Sequence, residues 1–185
     1  MAIRIGKSLS GIFHRKKQKS KEQIDFPIWD MHCHILPGVD DGSRNIEDSL
    51  EMIEMEMAQG VTRIMLTPHY IVGKTDAALI QKKYVELQEA IKQRNYPVEL
   101  YLGNELLYNT DMIEELRAGR ALTLAGTSYV LVEFHIGVSY QRMKQAFQEL
   151  LMAGYRPILA HMERFECLHY QWERVYELVD MGIYM

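Results

Sequence analysis

The sequence predicts an α/β protein with a parallel sheet, arranged in the manner of an α/β barrel. Apolar strand-like runs alternate with amphipathic helical stretches in five successive units, and residues 182–185 begin a sixth strand. Strict alternation of this kind calls for parallel strands joined by right-handed crossovers. A histidine or an acidic residue stands at or just beyond each of the five strand ends. In α/β barrels the functional side chains collect at that carboxyl-terminal face, so we expect one shared site there.

The first strand covers residues 29–34 and carries two histidines separated by one residue. Because alternate side chains of a strand share a face, Asp30, His32 and His34 should point the same way. Cys33 should then face the opposite side, as part of the core. Two imidazoles and a carboxylate on one face make half of a metal site. A buried strand with two hydrogen-bonded histidines would show the same pattern.

The turn at residues 36–42 follows directly and brings Asp40 or Asp41 to the end of this strand. A further carboxylate at that point favours metal binding, because imidazole nitrogens and carboxylate oxygens are typical metal ligands. The first helix should then be capped by Ser43 or Asn45, and its apolar residues recur at helical intervals along one face.

The remaining elements are separated by glycines and prolines, which end helices and strands. In chain order we predict a strand at 61–67, a helix at about 76–94, a strand at 98–103, a short helix at about 111–118, a strand at 129–132, a helix at about 139–153, a strand at 157–160 and a helix at about 171–181.

The later strand ends carry the other polar candidates, which are His69, Glu105, Glu133 and His161. With the first strand and its turn, they exceed the number of ligands that one ion needs. Imidazoles and carboxylates without a usable cysteine suit manganese, iron or zinc, so we expect two or three divalent ions bridged by carboxylate. Arg164, three residues after His161, either clamps phosphate oxygens or forms a surface salt bridge. Its position beside His161 favours phosphate.

The composition describes an ordinary globular domain, with 48% of the 185 residues apolar and 25% charged. Two cysteines make no disulfide framework, and no run resembles a signal peptide or a membrane span. These features predict a cytoplasmic protein. After residue 25 the net charge is −9, which argues against nucleic-acid binding by that part of the chain.

Residues 1–25 form a basic arm, with seven basic and two acidic side chains, ahead of a predicted catalytic domain at 26–185. Four apolar residues between Ile5 and Phe13 have near-helical spacing, so the arm could be an amphipathic helix recruited to the inner face of the membrane. The composition favours the alternative, a disordered and solvated tail.

Cysteine-dependent phosphatase chemistry is excluded, because it requires an arginine six residues after the nucleophilic cysteine. Val39 and Glu173 occupy those positions after Cys33 and Cys167. The sequence likewise contains no P-loop and no glycine-rich dinucleotide turn.

Four motifs resemble those of a known superfamily. They are residues 32–42 (His-Cys-His-Ile-Leu-Pro-Gly-Val-Asp-Asp-Gly), 67–69 (Thr-Pro-His), 103–105 (Gly-Asn-Glu) and 160–164 (Ala-His-Met-Glu-Arg). Together they resemble the polymerase-and-histidinol-phosphatase (PHP) superfamily. Within it they are most similar to the bacterial manganese-dependent protein-tyrosine phosphatases of capsule and exopolysaccharide loci. The resemblance covers residues 28–185.

This resemblance implies a PHP-type distorted barrel and a metal-dependent protein phosphatase with manganese as its cofactor. The implied metal ligands are His32, His34, Asp41, His69, Glu105, Glu133 and His161. Asp41 and Arg164 would be catalytic, and Arg164 would also contact the substrate phosphate and stabilise charge in the transition state. The family acts on phosphotyrosine of a membrane-associated tyrosine kinase of a polysaccharide export system, which is the implied partner.

Two family features are missing from the sequence: a last Asp-x-His metal motif and a second phosphate-binding arginine. We therefore expect a carboxyl-terminally truncated barrel, and the third ion, the activity of this chain and homo-oligomerisation stay open. Two alternatives also stay open. One is a PHP phosphatase acting on a small phosphoester such as histidinol phosphate, and the other is an inactive metal-binding or kinase-docking fragment.

Overall fold

The computed structural model describes residues 27–185, and the predicted arm at residues 1–25 lies outside them. Strands and helices alternate along this part of the chain, as predicted. The strands are β1 Ile28–Cys33, β2 Val61–Leu66, β3 His69–Tyr70, β4 Glu99–Leu102, β5 Glu105–Leu107, β6 Tyr129–Glu133 and β7 Arg156–Leu159. The α-helices are α1 Ile46–Ala58, α2 Ala77–Gln93, α3 Met112–Arg117, α4 Tyr140–Met152 and α5 Trp172–Asp180. None of the helices described is both long and apolar enough to cross a bilayer.

The strands form two sheets in which every neighbouring pair is parallel. One sheet has the order β1-β2-β4, and the other has the order β3-β5-β6-β7. The predicted parallel α/β architecture is therefore confirmed. The predicted sixth strand is reduced to a single parallel bridge between Tyr184 and Ile158.

Two short strands, β3 and β5, were not predicted as separate elements. Each continues a strand of the first sheet into the second sheet through only two residues: Thr67 and Pro68 after β2, and Gly103 and Asn104 after β4. Proline has no N–H with which to continue the ladder of β2. At Gly103 the chain passes so close to the loop before β6 that a Cβ atom would lie 2.7 Å from a side-chain carbon of Leu124. At both bends the chain passes from a strand of the first sheet to a strand of the second sheet without an intervening helix.

The bends determine where two of the predicted site residues lie. His69 and Glu105 are the first residues of β3 and β5, and they lie side by side in register. The backbone N–H of Glu105 donates to the carbonyl of Pro68 at 3.1 Å. Both side chains therefore begin the second sheet at the point where the first sheet ends.

Three helices begin at side-chain caps, as their sequences favour. Asn45 accepts a hydrogen bond from a backbone N–H in the first turn of α1, and Asp76 and Ser139 do the same for α2 and α4. Each cap typically stabilises its helix by about 1 kcal/mol. Helices α1 and α2 cover one face of the first sheet, and α3, α4 and α5 cover the second. A third apolar cluster joins strands of both sheets and includes Met65 and Leu131. The carboxyl ends of β2 and β4 are thereby packed against the second sheet.

Candidate metal centre

Glu105 lies at the middle of the converging strand ends and is fully buried. Its Oε1 atom is 3.3 Å from Nε2 of His32 and 3.1 Å from Nε2 of His161. Its Oε2 atom is 3.2 Å from Nε2 of His34 and 3.0 Å from Nδ1 of His69. We call Oε1 with His32 and His161 the Oε1 group, and Oε2 with His34 and His69 the Oε2 group. One carboxylate therefore joins two pairs of imidazoles.

The contacts within the two groups have an unusual property. Across residues 27–185, neither oxygen of Glu105 nor Nε2 of His32 makes a hydrogen bond of acceptable geometry, although all three atoms are buried. Buried polar atoms are nearly always hydrogen-bonded, and leaving one unpaired costs about 1–3 kcal/mol. In each group the donor atoms lie within 4.8 Å of one another. Imidazole nitrogens and carboxylate oxygens that converge on shared space fit two divalent ions bridged by Glu105.

The electrostatics of these side chains agree with this fit. Burial by itself would raise the pKa of the Glu105 carboxyl, but the imidazoles of His32, His34 and His69 hold that pKa far below its ordinary value. Contacts with Asp40 and Glu105 raise the pKa of His34 to about 10, and Glu105 also raises the pKa of His69. A divalent cation that binds these nitrogens has to displace their protons, so metal binding should release protons.

Asp40 and Asp41 are adjacent but lie in different surroundings. Oδ2 of Asp40 accepts a hydrogen bond from Nδ1 of His34 at 2.7 Å and another from the backbone N–H of His69 at 3.1 Å. Its Oδ1 accepts from the backbone N–H of Gly42 at 3.0 Å. The Asp41 side chain is 84% exposed, and its Oδ1 lies 3.4 Å from Nε2 of His69. Both carboxylates have an oxygen near a ring nitrogen of His34. Which of the two aspartates is the better candidate for a metal ligand therefore depends on their different contacts.

Glu133 and Arg164 lie at the edge of the centre. Glu133 ends β6, and its carboxylate is 3.9 Å from Nδ1 of His69 and 4.0 Å from Nη1 of Arg164. Arg164 belongs to a 3-10 turn that starts directly after His161, and its side chain is 54% exposed. Its other ion pair, with Glu163, is 3.9 Å long. Such long, exposed ion pairs hold a guanidinium weakly, so Arg164 is free to turn toward an anionic ligand.

Thr67 positions the first strand, a role that its place in the Thr-Pro-His motif did not predict. Its hydroxyl accepts a hydrogen bond from the backbone N–H of Cys33 at 3.0 Å and lies 3.1 Å from the carbonyl of the same residue, to which it can donate. Cys33 stands between His32 and His34, so this contact fixes the backbone that carries both imidazoles. The fully buried position of a threonine next to a predicted ligand is evident only from the fold.

Asn104 has a similar role on the other side of the centre. Its amide nitrogen donates to the carbonyl of Pro68 at 3.1 Å, and its amide oxygen accepts from the backbone N–H of Leu122 at 2.9 Å. The side chain is fully buried. Because Pro68 precedes His69 and Asn104 precedes Glu105, this amide holds together the two bends that bring these residues into the centre.

The two cysteines take no part in the centre. Cys33 packs against the core around the first sheet, as predicted, and its thiol lies 3.4 Å from the carbonyl of Met65. Burial raises the pKa of Cys33 far above its ordinary value and also raises the pKa of Cys167. Both side chains therefore remain thiols at neutral pH, which agrees with the exclusion of cysteine-dependent phosphatase chemistry.

Known proteins are similar to this chain in sequence and fold over most of its length. Residues 28–185 match the sequence model of the family described as "Capsular polysaccharide synthesis, CpsB/CapC". Tyrosine-protein phosphatase CpsB of Streptococcus agalactiae is 36% identical over 157 residues, which cover 84% of this chain and 65% of that protein. Tyrosine-protein phosphatase YwqE of Bacillus subtilis is 32% identical over 155 residues, which cover 83% of this chain and 61% of that protein. The chain thus spans less than two thirds of the length of these relatives.

A solved structure has the same fold. It comes from crystal structures of YwqE from Bacillus subtilis and CpsB from Streptococcus pneumoniae, described as unique metal-dependent tyrosine phosphatases. The TM-score is 0.77 at 30% sequence identity, and the match covers 84% of this chain and 64% of that chain. The resemblance drawn from the four motifs is therefore confirmed at the level of family and fold. The chain belongs to the CpsB/CapC family of capsular polysaccharide synthesis proteins.

Proposed function

We propose that this chain carries the metal centre of a protein-tyrosine phosphatase that acts on phosphotyrosine. The observation that carries the proposal is the arrangement around Glu105, whose two buried oxygens each face two imidazoles without a hydrogen bond. Membership of the CpsB/CapC family supports the substrate class, because the relatives named above are tyrosine-protein phosphatases. By the same resemblance, the physiological substrate is a partner tyrosine kinase that regulates capsule or exopolysaccharide synthesis.

The geometry of the centre supports a particular set of ligands. The Oε1 group would hold one ion and the Oε2 group a second, while Asp41 and Glu133 offer carboxylates beside His69 for a third. Manganese is the proposed metal, and iron and zinc suit the same donors. When bound, the ions supply Lewis-acid stabilisation of the phosphoryl oxygens and a water molecule of lowered pKa.

The protein's own residues bind and orient the phosphate. The imidazoles of the two groups remain 22–29% exposed, so a phosphate ester can reach them from solvent. Arg164 stands beside them, and its planar guanidinium can donate two parallel hydrogen bonds to phosphate oxygens. The exposed carboxylate of Asp41 is available to carry a proton between the bound substrate and solvent.

Metal removal and replacement test the proposal. The purified 185-residue chain should lose its phosphatase activity on a phosphotyrosine peptide after exhaustive chelation and regain it with added Mn²⁺, while Fe²⁺ and Zn²⁺ are compared in parallel. Activity that is unchanged after complete metal removal would contradict the mechanism. Faster hydrolysis of histidinol phosphate than of the phosphotyrosine peptide would instead favour a small-phosphoester phosphatase. Metal binding without hydrolysis of either substrate would favour a docking fragment.

The basic arm at residues 1–25 supports a further part of the proposal, recruitment of a cytoplasmic enzyme to the inner face of the membrane. Its net charge of +5 contrasts with −9 in the rest of the chain, so anionic lipid headgroups should attract the arm and repel the remainder. Deletion of residues 1–25 should weaken sedimentation with phosphatidylserine vesicles at low salt, and high salt should remove the difference. Equal sedimentation of both forms would leave the arm a solvated tail.

A further inference from the structure

The Asp40 side chain is only 4% exposed, and both of its oxygens are already engaged. It receives hydrogen bonds from the ring of His34, the backbone N–H of His69 and the backbone N–H of Gly42. A buried carboxylate with three donors has little capacity left for a metal ion. These contacts instead connect it to two predicted metal ligands.

The contact with His34 determines which ring nitrogen is available to a metal. An ionised carboxylate only accepts hydrogen bonds, so the 2.7 Å contact requires a proton on Nδ1 of His34. The other nitrogen, Nε2, faces Oε2 of Glu105 and is left with a free lone pair once a cation has displaced its proton. A carboxylate that holds an imidazole in this way orients it and raises its basicity as a ligand.

The same carboxylate oxygen also accepts the backbone N–H of His69, so one side chain supports both histidines of the Oε2 group. The Oε1 group is supported differently. Within the described part of the chain, the rings of His32 and His161 make an ion pair or hydrogen bond with no side chain other than Glu105. Loss of Asp40 should therefore affect the two groups unequally.

We infer that Asp40 is a positioning residue that assembles the Oε2 group selectively, and that it is not itself a metal ligand. This inference rests on the proposed two-ion centre. It assigns different roles to two adjacent aspartates, because the exposed Asp41 has a carboxylate open to an ion while Asp40 acts through His34 and His69.

Metal binding to Asp40→Ala and Asp40→Asn tests this role without any activity measurement. Asn keeps the size of the side chain but offers one oxygen to three donors, so its effect should be intermediate. Asp48→Asn is the matched control, because Asp48 pairs with Arg44 at 2.7 Å and belongs to neither ligand group. The metal-free proteins are dialysed against graded Mn²⁺, and bound ions are counted and examined by electron paramagnetic resonance.

The wild type and Asp48→Asn should fill both ligand groups, with at least two ions, and give the spectrum of an exchange-coupled manganese pair. Asp40→Ala should keep one ion at wild-type affinity, with an isolated-ion spectrum, and bind the second about 10–100-fold more weakly. Two ions at wild-type affinity in Asp40→Ala would overturn the inference, and so would equal weakening of both ions, which indicates a general structural role. If Asp40→Ala does not fold, as judged by circular dichroism, Asp40→Asn decides between the same outcomes. A wild type that binds no ion at all would instead overturn the proposed function on which the inference rests.

Discussion

The two ligand groups share Glu105 but are built from different parts of the molecule. The Oε2 group is local to one turn, because the ring of His34 and the backbone N–H of His69, which begins β3, both donate to Asp40 in the turn that follows β1. The Oε1 group joins β1 of the first sheet to the end of β7 of the second, so His32 and His161 meet only because the sheets converge. The comparison teaches that one turn can tie together the two imidazoles of one half of the proposed metal centre, whereas the other half depends entirely on the packing of the two sheets.

Glu105→Gln should have the largest effect, because it removes the one charge that both groups share. We expect neither ion to be held at wild-type affinity and kcat to fall by about 10³ or more. This loss exceeds the 10–100-fold decrease that is typical when a residue that only hydrogen-bonds a metal ligand is replaced. Manganese stoichiometry and the rate on a phosphotyrosine peptide measure both effects. Glu99→Gln is the control, since Glu99 is an exposed carboxylate that pairs with Arg63. Retention of two ions by Glu105→Gln would mean that the groups do not depend on this carboxylate.

Arg164→Ala should come next and should leave both groups intact. Removing a donor that stabilises a developing anion typically lowers kcat by about 10²–10³. Manganese binding should be unchanged, because the side chain of Arg164 reaches the centre only through Glu133 at 4.0 Å and the substitution keeps its backbone N–H. Arg164→Lys should recover part of the rate, and Arg44→Ala removes an exposed arginine that pairs with Asp48 and serves as the control. Wild-type kinetics in Arg164→Ala would make this residue a bystander.

Gly42→Ala should separate the two groups. A Cβ atom at this position would lie 2.1 Å from the carbonyl oxygen of His34, so the turn must move and displace that histidine. We expect weaker binding of the Oε2 ion, an unchanged Oε1 ion and a free energy of unfolding lower by about 1–3 kcal/mol, as is typical of overpacking. Manganese titration and denaturant unfolding measure these quantities. Gly137→Ala is the control, because nothing lies within 4 Å of its added Cβ. Equal loss of both ions would contradict the local character of the Oε2 group.

Cys33→Ser should have the smallest effect. The thiol is protonated and faces away from the centre, so kcat should stay within about twofold of wild type. The buried hydroxyl can donate to the carbonyl of Met65, which limits the loss in free energy of unfolding to about 1 kcal/mol. An inactive but well-folded Cys33→Ser protein would place this residue in the chemistry.

Much of the fold was predictable because its signals are local. Helix α1 begins after Asn45, and α2 and α4 begin after Asp76 and Ser139, within one or two residues of the predicted starts. The bends at Pro68 and Gly103 were readable as strand ends but not as transfers to a second sheet. A strand that changes sheets has the same local sequence as a strand that stops, because the difference lies in which distant strand accepts its hydrogen bonds.

The sequence by itself determined the alternation of strands and helices, the identity of the polar residues at the strand ends and the exclusion of thiol chemistry. These follow from hydrophobic periodicity, capping residues and side-chain chemistry, which act over a few neighbouring positions. Only the tertiary structure decided how the four imidazoles divide between the two oxygens of Glu105. It also decided that Asp40 turns inward and Asp41 outward. The two aspartates have the same side-chain chemistry, so their orientations depend on the backbone of the turn that contains them. Backbone hydrogen bonds, such as that from Ser43 N–H to the His34 carbonyl at 2.9 Å, hold this turn, and no side-chain pattern encodes them.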